Sequence, residues 1–323
     1  MASPTKEILT DLSPILKHYA DGTVERLLSF PYVPPSPEDP NTGVSSKDIF
    51  SIPPGISARI YLPQITAGTS PKRPILLYIH GGGFCIGSAF SSLDHRYMIL
   101  LTAEAKALII SVEYRLAPEH PLPAAYEDSW NALKWVCSHN TEETLSEKEK
   151  WLVDHGDFSR IFVGGDSAGG NIVHYVAMRA GSETLPENSK IYGAFLSHPF
   201  FWGSIPIGSE PKEDKEQSLL YRLWLFAYPS ADNGINNPLI NPLIDGAPSL
   251  SSLGCSRILV CLSEKDVLAG RGLAYVEKVK KSGWKGELKL VEIEGEDHCF
   301  HIFSPETDKA QDLISRIASF ISP

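Results

Sequence analysis

Short apolar runs rich in β-branched residues alternate with longer helix-like segments along most of this chain. The runs predict strands at residues 74–80, 107–115, 160–167, 194–200, 257–263 and 287–293. The segments between and after them predict helices at residues 92–106, 123–139, 168–181, 270–283 and 308–321. Strands that are apolar throughout must be buried on both faces, so this alternation indicates a mostly parallel central sheet with helices on both faces. The sequence therefore predicts an α/β fold.

Two regions interrupt the alternation. Residues 45–63 hold two strand-like runs separated by a Pro-Pro-Gly sequence, a pattern that favours an antiparallel hairpin at the edge of the sheet. Residues 201–250 contain an aromatic helix and a Pro/Asn/Gly-rich stretch but no sheet strand. Together with a predicted N-terminal helix over residues 6–20, this insertion predicts a helical cap built from residues about 1–45 and 201–250.

The composition fits one domain over residues 1–323. With 42% hydrophobic residues the chain can bury a large core, so it needs no metal or disulfide to hold it together. The net charge of -10 disfavours nucleic acid and anionic membranes as partners, since both require a basic face. No apolar stretch is long enough to span a bilayer.

The cysteines and the N-terminal segment indicate a compartment. The five cysteines form no CxxC pair and leave one unpaired in any disulfide scheme, which favours a reducing environment. The N-terminal residues lack the apolar run of a secretory signal and the arginine bias of a transit peptide. We therefore expect a cytoplasmic protein.

The most specific motif is Gly165-Asp166-Ser167-Ala168-Gly169, which ends one predicted strand and opens the next helix. In this context Gly-x-Ser-x-Gly is a nucleophile elbow, a tight turn that exposes the serine hydroxyl. Glycines on either side allow the strand and the helix to pack closely. The motif predicts Ser167 as a catalytic nucleophile.

A second glycine motif, His80-Gly81-Gly82-Gly83-Phe84, follows the first strand of the predicted parallel sheet. Serine attack on a carbonyl creates an oxyanion, which needs hydrogen-bond donors already in place. We expect the backbone N–H groups of Gly81, Gly82 and Ala168 to form this oxyanion hole.

The serine also needs a general base, and ten histidines compete for this role. His298 follows the strand at 287–293, at the edge of the sheet where ligand-facing residues collect. His301 is the nearest rival, but it stands at the predicted start of a helix. We expect His198 to be a core or cleft residue and His80 to brace its glycine loop.

The carboxylate that orients the histidine should follow the preceding strand. Asp266 comes directly after the strand at 257–263, where it could fix the tautomer of His298 and stabilise the imidazolium. Glu264 and Asp297 are the alternatives. We favour Asp266, because a carboxylate adjacent to the histidine does not easily fold back onto that ring.

Pocket-lining residues are predicted less sharply. Five aromatic residues are placed either to line an apolar pocket or to fill the core, namely Phe84, Phe200, Phe201, Trp202 and Trp224. Three polar residues are further candidates for the cleft, namely Asp94, His95 and Tyr126.

The chain resembles a known family in its HGGGF motif, in the run Tyr114-Arg115-Leu116-Ala117-Pro118-Glu119-His120 and in Gly165-Asp166-Ser167-Ala168-Gly169-Gly170. Together these motifs are similar to plant carboxylesterases of the hormone-sensitive-lipase-like group, in the 2-hydroxyisoflavanone dehydratase-like branch. The segments DGTVERLLS, PEDPNTGVSSKDI and PAAYEDSWNALKWV extend the similarity along nearly the whole chain. The resemblance implies an α/β-hydrolase fold, no cofactor and the triad Ser167, Asp266 and His298.

The resemblance leaves three functions open. The first is a serine carboxylesterase that acts on a small-molecule ester. The second is a dehydratase, lyase or cyclase acting on a flavonoid- or alkaloid-type plant metabolite, because members of this branch also catalyse eliminations and cyclisations. The third is a small-molecule receptor. The gibberellin receptor, a relative by fold, has this function and carries a disabled triad. Since both the serine and the glycine loop are intact here, the sequence favours hydrolysis.

Overall fold

The computed structural model describes residues 6–65, 72–141 and 149–322. The strands within these ranges are β1 (Ile8–Leu12), β2 (Leu16–Tyr19), β3 (Val24–Arg26), β4 (Ser45–Ile52), β5 (Ile56–Leu62), β6 (Arg73–Ile79), β7 (Leu108–Glu113), β8 (Gly156–Asp166), β9 (Ile191–Ser197), β10 (Cys255–Ser263) and β11 (Glu287–Ile293). The α-helices are α1 (Ser92–Ala105), α2 (Ala124–Cys137), α3 (Lys150–His155), α4 (Ala168–Ala180), α5 (Leu219–Ala227), α6 (Ala269–Lys281), α7 (Phe300–Phe303) and α8 (Asp308–Ile321).

Eight strands form the central sheet, in the order β4-β5-β7-β6-β8-β9-β10-β11. From β7 to β11 in this order, neighbouring strands pair in parallel, whereas β5 pairs antiparallel with both β4 and β7. The predicted α/β class and the predicted hairpin at the sheet edge are both confirmed.

The two faces of the sheet carry separate layers of helices. Successive side chains of a strand point to opposite faces, so in β6 Leu77 packs on one side and Leu76 on the other. The core cluster that holds Leu77 includes residues of α2, α4 and α6, and the cluster that holds Leu76 includes residues of α1 and α8. The inner strands β6 and β7 are buried on both faces, which is why they are apolar over most of their length, whereas the edge strand β11 alternates charged and apolar residues.

The prediction of an N-terminal helix over residues 6–20 is wrong. These residues form β1 and β2, which belong with β3 to a separate three-stranded antiparallel sheet. Pro14 has no N–H to donate and disfavours the helical conformation of Ser13, so the chain turns there. The turn brings Leu12 and Leu16 opposite each other in register, and both are buried.

The three-stranded sheet forms the cap together with α5. Arg222 of α5 donates a hydrogen bond to the Asp11 carbonyl oxygen at 2.6 Å, and the rings of His18 and Phe226 meet edge to face. Residues 201–250 contain no strand, as predicted. The cap is therefore part β-sheet and part helix, not purely helical.

Candidate active site

Ser167 occupies the turn between β8 and α4 with φ 52° and ψ −117°, a conformation that residues with a Cβ rarely adopt. The surrounding backbone holds it there. The Ser167 N–H donates to the Ser197 carbonyl at 2.9 Å, and the Ser167 carbonyl accepts from the Phe200 N–H at 2.9 Å. The side chain is partly exposed and lines a pocket, as an elbow serine should.

The flanking glycines are required by contact with β6. A Cβ on either Gly165 or Gly169 would overlap the Ile79 carbonyl oxygen. Such contacts with backbone atoms cannot be relieved by rotating a side chain. The end of β8 and the first turn of α4 therefore pack against β6 at a distance that only glycine allows.

The glycine loop after β6 reaches the same pocket. Gly82 has φ 112°, and a Cβ there would overlap the Ile86 carbonyl oxygen. Gly81 and Gly82 line the pocket with Ser167, and neither of their N–H groups donates to another residue in the described ranges. Ala168 is the first residue of α4, so its N–H has no acceptor within the helix.

His80 braces this loop, as expected. Its ring stacks on Tyr114 with 4.2 Å between the ring centroids, and its Nδ1 lies 2.7 Å from the Gly81 carbonyl oxygen. The Tyr114 hydroxyl donates to the His80 carbonyl at 3.0 Å. These contacts hold the glycine loop in position.

His298 and Asp266 form a hydrogen-bonded pair, with 2.7 Å between His298 Nδ1 and Asp266 Oδ2. Asp266 follows β10 and His298 follows β11, and these strands are parallel neighbours whose carboxyl ends share one edge. The second carboxylate oxygen of Asp266 accepts from the Leu268 N–H at 2.9 Å. His298 lines the same pocket as Ser167.

The alternatives from the sequence lie elsewhere. Glu264 accepts a hydrogen bond from the Gly295 N–H at 2.8 Å, and Asp297 accepts one from the backbone N–H of His298. His301 is buried and stacks on His198. His198 itself is fully buried, between the hydroxyls of Ser197 and Ser263. Of the three candidate carboxylates, only Asp266 hydrogen-bonds the ring of His298, and the His198 ring meets that of His298 edge to face with 5.7 Å between the centroids.

The pair shifts both pKa values. Burial lowers the pKa of His298, but the hydrogen bond and the negative charge from Asp266 outweigh it, so this pKa lies above its ordinary value. Burial raises the pKa of Asp266, but its hydrogen bond with His298 and the histidine charge hold that pKa below its ordinary value. The arrangement stabilises a charged imidazolium beside a carboxylate.

Asp166, inside the elbow motif, is a pocket residue that the sequence reasoning did not single out. Burial raises the pKa of this carboxyl to about 6. It accepts a hydrogen bond from the Tyr78 hydroxyl, and the Cys299 thiol lies 3.7 Å from its other oxygen. A Cβ on Gly81 would overlap the carboxyl, so Asp166 packs directly against the glycine loop.

The pocket has a volume of about 200 Å³ and mostly apolar walls. Besides the residues above, its walls include Ile15, Leu28, Phe30, Leu223, Ile302 and Phe303. These side chains come from the N-terminal segment, α5 and α7. No motif in the sequence marks them, because apolar residues of this kind also fill ordinary cores.

The predicted pocket residues divide into two groups. Phe200 and Asp94 line the pocket. The other aromatic candidates are buried in the core, namely Phe84, Phe201, Trp202 and Trp224. Tyr126 donates to Asn171 at 2.7 Å, and His95 contacts the Tyr61 hydroxyl.

Two further properties bear on the class of protein. No helix in the described ranges is long and apolar enough to cross a bilayer. Nor do the described residues contain a group of three or more His, Cys, Asp or Glu side chains placed to hold a metal ion.

Residues 76–302 match the family described as α/β hydrolase fold, and the chain belongs to that family. A 2-hydroxyisoflavanone dehydratase from Glycyrrhiza echinata is 54% identical, over 99% of this chain and 100% of its own length. A probable carboxylesterase 2 from Arabidopsis thaliana is 43% identical, over 100% of this chain and 99% of its own length. The similarity to the plant, hormone-sensitive-lipase-like branch that the motifs indicated is confirmed.

A solved structure shares the fold. It is a thermophilic and thermostable carboxylesterase cloned from a metagenomic library, with a TM-score of 0.68 and 26% identity, covering 91% of this chain and 90% of its own. The protein is therefore a carboxylesterase-like α/β hydrolase, an enzyme of the class that acts on esters.

Proposed function

We propose that the protein hydrolyses small to medium carboxylic esters through an acyl-enzyme intermediate on Ser167. One observation carries this proposal. A serine on a strained, glycine-flanked turn lines the same pocket as a histidine whose Nδ1 is held by a buried carboxylate. This is the combination that serine acyl transfer requires.

In the first step the Ser167 hydroxyl attacks the ester carbonyl carbon while Nε2 of His298 takes its proton. Nε2 has this role because Nδ1 is engaged with Asp266. The imidazolium, stabilised by Asp266, then donates the proton to the leaving alcohol. A water molecule, deprotonated by the same nitrogen, attacks the acyl group, releases the carboxylic acid and restores Ser167.

The developing oxyanion is assigned to the backbone N–H groups of Gly81, Gly82 and Ala168. Gly81 and Gly82 have N–H groups that are not used elsewhere in the described ranges, and Ala168 contributes the first N–H of α4. Such fixed donors stabilise the transition state by about 3 to 4 kcal/mol each in serine hydrolases.

Hydrolysis of p-nitrophenyl acetate and butyrate tests the proposal. We expect the Ser167→Ala variant to lose at least about 10³-fold in kcat, since the nucleophile is removed. Ser138→Ala, at an exposed serine, is the matched control and should retain activity. A p-nitrophenyl phosphonate should label Ser167, as detected by peptide mass spectrometry. Ester turnover that survives in Ser167→Ala would exclude the acyl-enzyme.

A second function, elimination of water, is favoured by the 54% identity with a 2-hydroxyisoflavanone dehydratase. In that reaction His298 would remove a proton next to a ketone, the oxyanion donors would stabilise the enolate, and a hydroxyl on the β carbon would leave. This route needs no covalent bond to Ser167. The test is the conversion of 2-hydroxyisoflavanone to the isoflavone, measured by chromatography. If elimination is the native reaction, this conversion should persist in Ser167→Ala.

We also propose that the protein works in a reducing compartment such as the cytoplasm. All five cysteines are buried free thiols. Microscopy of the full-length protein with a C-terminal fluorescent tag tests this, and a secretory location would contradict it.

A further inference from the structure

The pocket contains a carboxyl group that the proposed ester hydrolysis does not use. Asp94 lies in the first turn of α1, beside Leu93, and both residues line the pocket. The Asp94 residue is only 6% exposed. A carboxyl group buried at the wall of a mostly apolar pocket requires a hydrogen-bond partner.

Only one of the two oxygens of the Asp94 carboxyl group accepts a hydrogen bond from another residue in the described ranges. The Ser91 hydroxyl donates to Asp94 Oδ2 at 2.6 Å and accepts from the Asp94 N–H at 3.1 Å, which caps the helix. Within the described ranges, Oδ1 accepts no hydrogen bond from another residue, and no Lys or Arg forms an ion pair with Asp94. One oxygen thus remains available at the pocket wall.

The surroundings make this oxygen costly to leave unpaired. Burial raises the pKa of Asp94 to about 6, so the group is mostly ionised at neutral pH. The second carboxyl group in the pocket, Asp166, carries the same sign of charge. The apolar walls of the pocket, such as Phe30 and Phe303, offer no donor. A donor can instead come from a bound molecule.

We propose that Asp94 is a specificity-determining residue that binds a hydrogen-bond donor, a hydroxyl or a protonated amine, on a part of the substrate other than the reacting carbonyl. This inference rests on the proposed ester hydrolysis. The preferred substrates would then be hydroxylated or amino-substituted esters, and esters with plain hydrocarbon groups would be poorer substrates. A site with a buried polar group rejects the analogue that lacks the matching partner.

Two matched series of esters test the inference. The first consists of the methyl esters of 3-phenylpropanoate, 3-(4-hydroxyphenyl)propanoate and 3-(4-aminomethylphenyl)propanoate. The second consists of acetates of the corresponding 2-arylethanols, which place the same groups on the alcohol side. We expect the wild-type kcat/KM for at least one substituted ester to exceed that for its plain analogue by about tenfold or more, as for hydrogen bonds to charged groups.

Two variants at Asp94 separate the possible donors. Asp94→Leu should abolish the preference. Asp94→Asn should retain a preference for hydroxyl, since the amide oxygen still accepts, but lose a preference for the ammonium group. Glu104→Gln, which removes an exposed charge from the same helix, is the control and should leave the ratios unchanged. Equal ratios in the wild type and in Asp94→Leu would overturn the inference.

Binding measurements keep this result separate from the proposed reaction. The corresponding primary amides, which resist hydrolysis, are titrated calorimetrically into Ser167→Ala with and without Asp94→Leu. If no ester is turned over but the substituted amides bind about tenfold more tightly only when Asp94 is present, the role of Asp94 stands and ester hydrolysis fails. If all three amides bind equally in both proteins, the role of Asp94 fails whatever the enzyme hydrolyses.

Discussion

His298 and Asp266 are separated in the sequence, yet their side chains meet at 2.7 Å. Each follows a strand, and β10 and β11 are parallel neighbours, so both residues reach the same edge of the sheet. Their pairing was predictable because the sequence placed each residue just after a strand of a parallel sheet, where ligand-facing residues collect. Their shifted pKa values follow from that contact.

We predict that Asp266→Asn changes both the rate and the pH profile of hydrolysis. The base form of His298 is required, so kcat/KM should rise with pH through the raised pKa of His298. Removing the carboxylate lowers that pKa, which moves the acidic limb to lower pH. We also expect kcat to fall by about 10³- to 10⁴-fold, because the tautomer is no longer fixed.

The measurement is kcat/KM for p-nitrophenyl acetate from about pH 5 to about pH 9, a range that spans the ordinary pKa of histidine. The control is Asp312→Asn, an exposed carboxylate paired with Arg316. An acidic limb that stays in place in Asp266→Asn would show that Asp266 does not set the pKa of His298.

Asp166 should link folding stability to pH. Burial raises its pKa from 3.8 to about 6, so the folded protein binds this proton more tightly than the unfolded chain does. The resulting stabilisation is fully present below the unfolded pKa and is lost as pH rises through about 6. In Asp166→Asn this contribution is absent. Between about pH 4 and about pH 7, the free energy of unfolding of the wild type should therefore fall by about 2 kcal/mol relative to Asp166→Asn.

Urea unfolding of the two proteins at both pH values measures this difference. A constant difference would mean that the Asp166 carboxyl is not perturbed. The raised pKa values of Asp166 and Asp94 could not be predicted from the sequence. Their burial depends on which side chains pack around the pocket, and the local sequence carries no signal for that.

At the scale of elements, the contact between α4 and β6 sets the geometry of the elbow. Gly169 lies against the Ile79 carbonyl, so the helix axis stands close to the strand. The glycines of the elbow motif predicted this close contact between α4 and β6, because a position without a side chain allows two backbones to approach each other.

Gly169→Ala should lower the free energy of unfolding by about 3 kcal/mol, since the new methyl group overlaps backbone and α4 must move. The matched control is Gly270→Ala in α6, where the nearest atoms lie 3.3 Å from the new carbon and the change should be within about 1 kcal/mol. Chemical denaturation of both variants measures the effect. Equal stabilities would contradict the tight contact.

The three-stranded sheet of the cap shows what sequence periodicity could not decide. Apolar residues at positions 8, 12, 15 and 16 fit a helical period as well as two short strands. Pro14 favours the strands, and the partner that covers them, α5, lies about two hundred residues later in the chain. That partner could not be identified from the N-terminal residues alone.

We predict that Phe30, which lines the pocket near its ring partner Phe303, contributes to binding of longer substrates. Phe30→Ala should raise KM for p-nitrophenyl hexanoate by about tenfold while changing that for the acetate little, because only the longer acyl group reaches this wall. Phe50→Ala, at an aromatic residue that is 69% exposed, is the control. Steady-state kinetics with both esters measure the split, and equal effects on both would contradict it.

At the scale of the whole molecule, the cap and the sheet share one hydrophobic core. Leu12 and Leu16 of the small sheet pack in the same cluster as Leu223 of α5 and the buried strands. The motifs and the positions of the parallel strands along the chain were predictable because each depends on a short stretch of sequence. The closure of the pocket was not, since it depends on segments that meet only in the finished fold.

We propose that residues 1–323 form a single cooperative unit. Thermal unfolding followed by far-ultraviolet circular dichroism and by tryptophan fluorescence should show one coincident transition, because loss of the cap exposes part of the common core. Calorimetric and van't Hoff enthalpies should agree. Two separated transitions would show that the cap unfolds independently.

The origin of the pocket walls has a consequence for biosynthesis. Ile15, Leu28 and Phe30 leave the ribosome well before α5 and α7, the helices beside them in the pocket. During translation these apolar side chains are synthesised before the helices that lie beside them in the pocket. The binding cavity is therefore completed late in synthesis, and a nascent chain stalled before residue 298 would hold the nucleophile but lack His298 and the wall formed by Ile302 and Phe303.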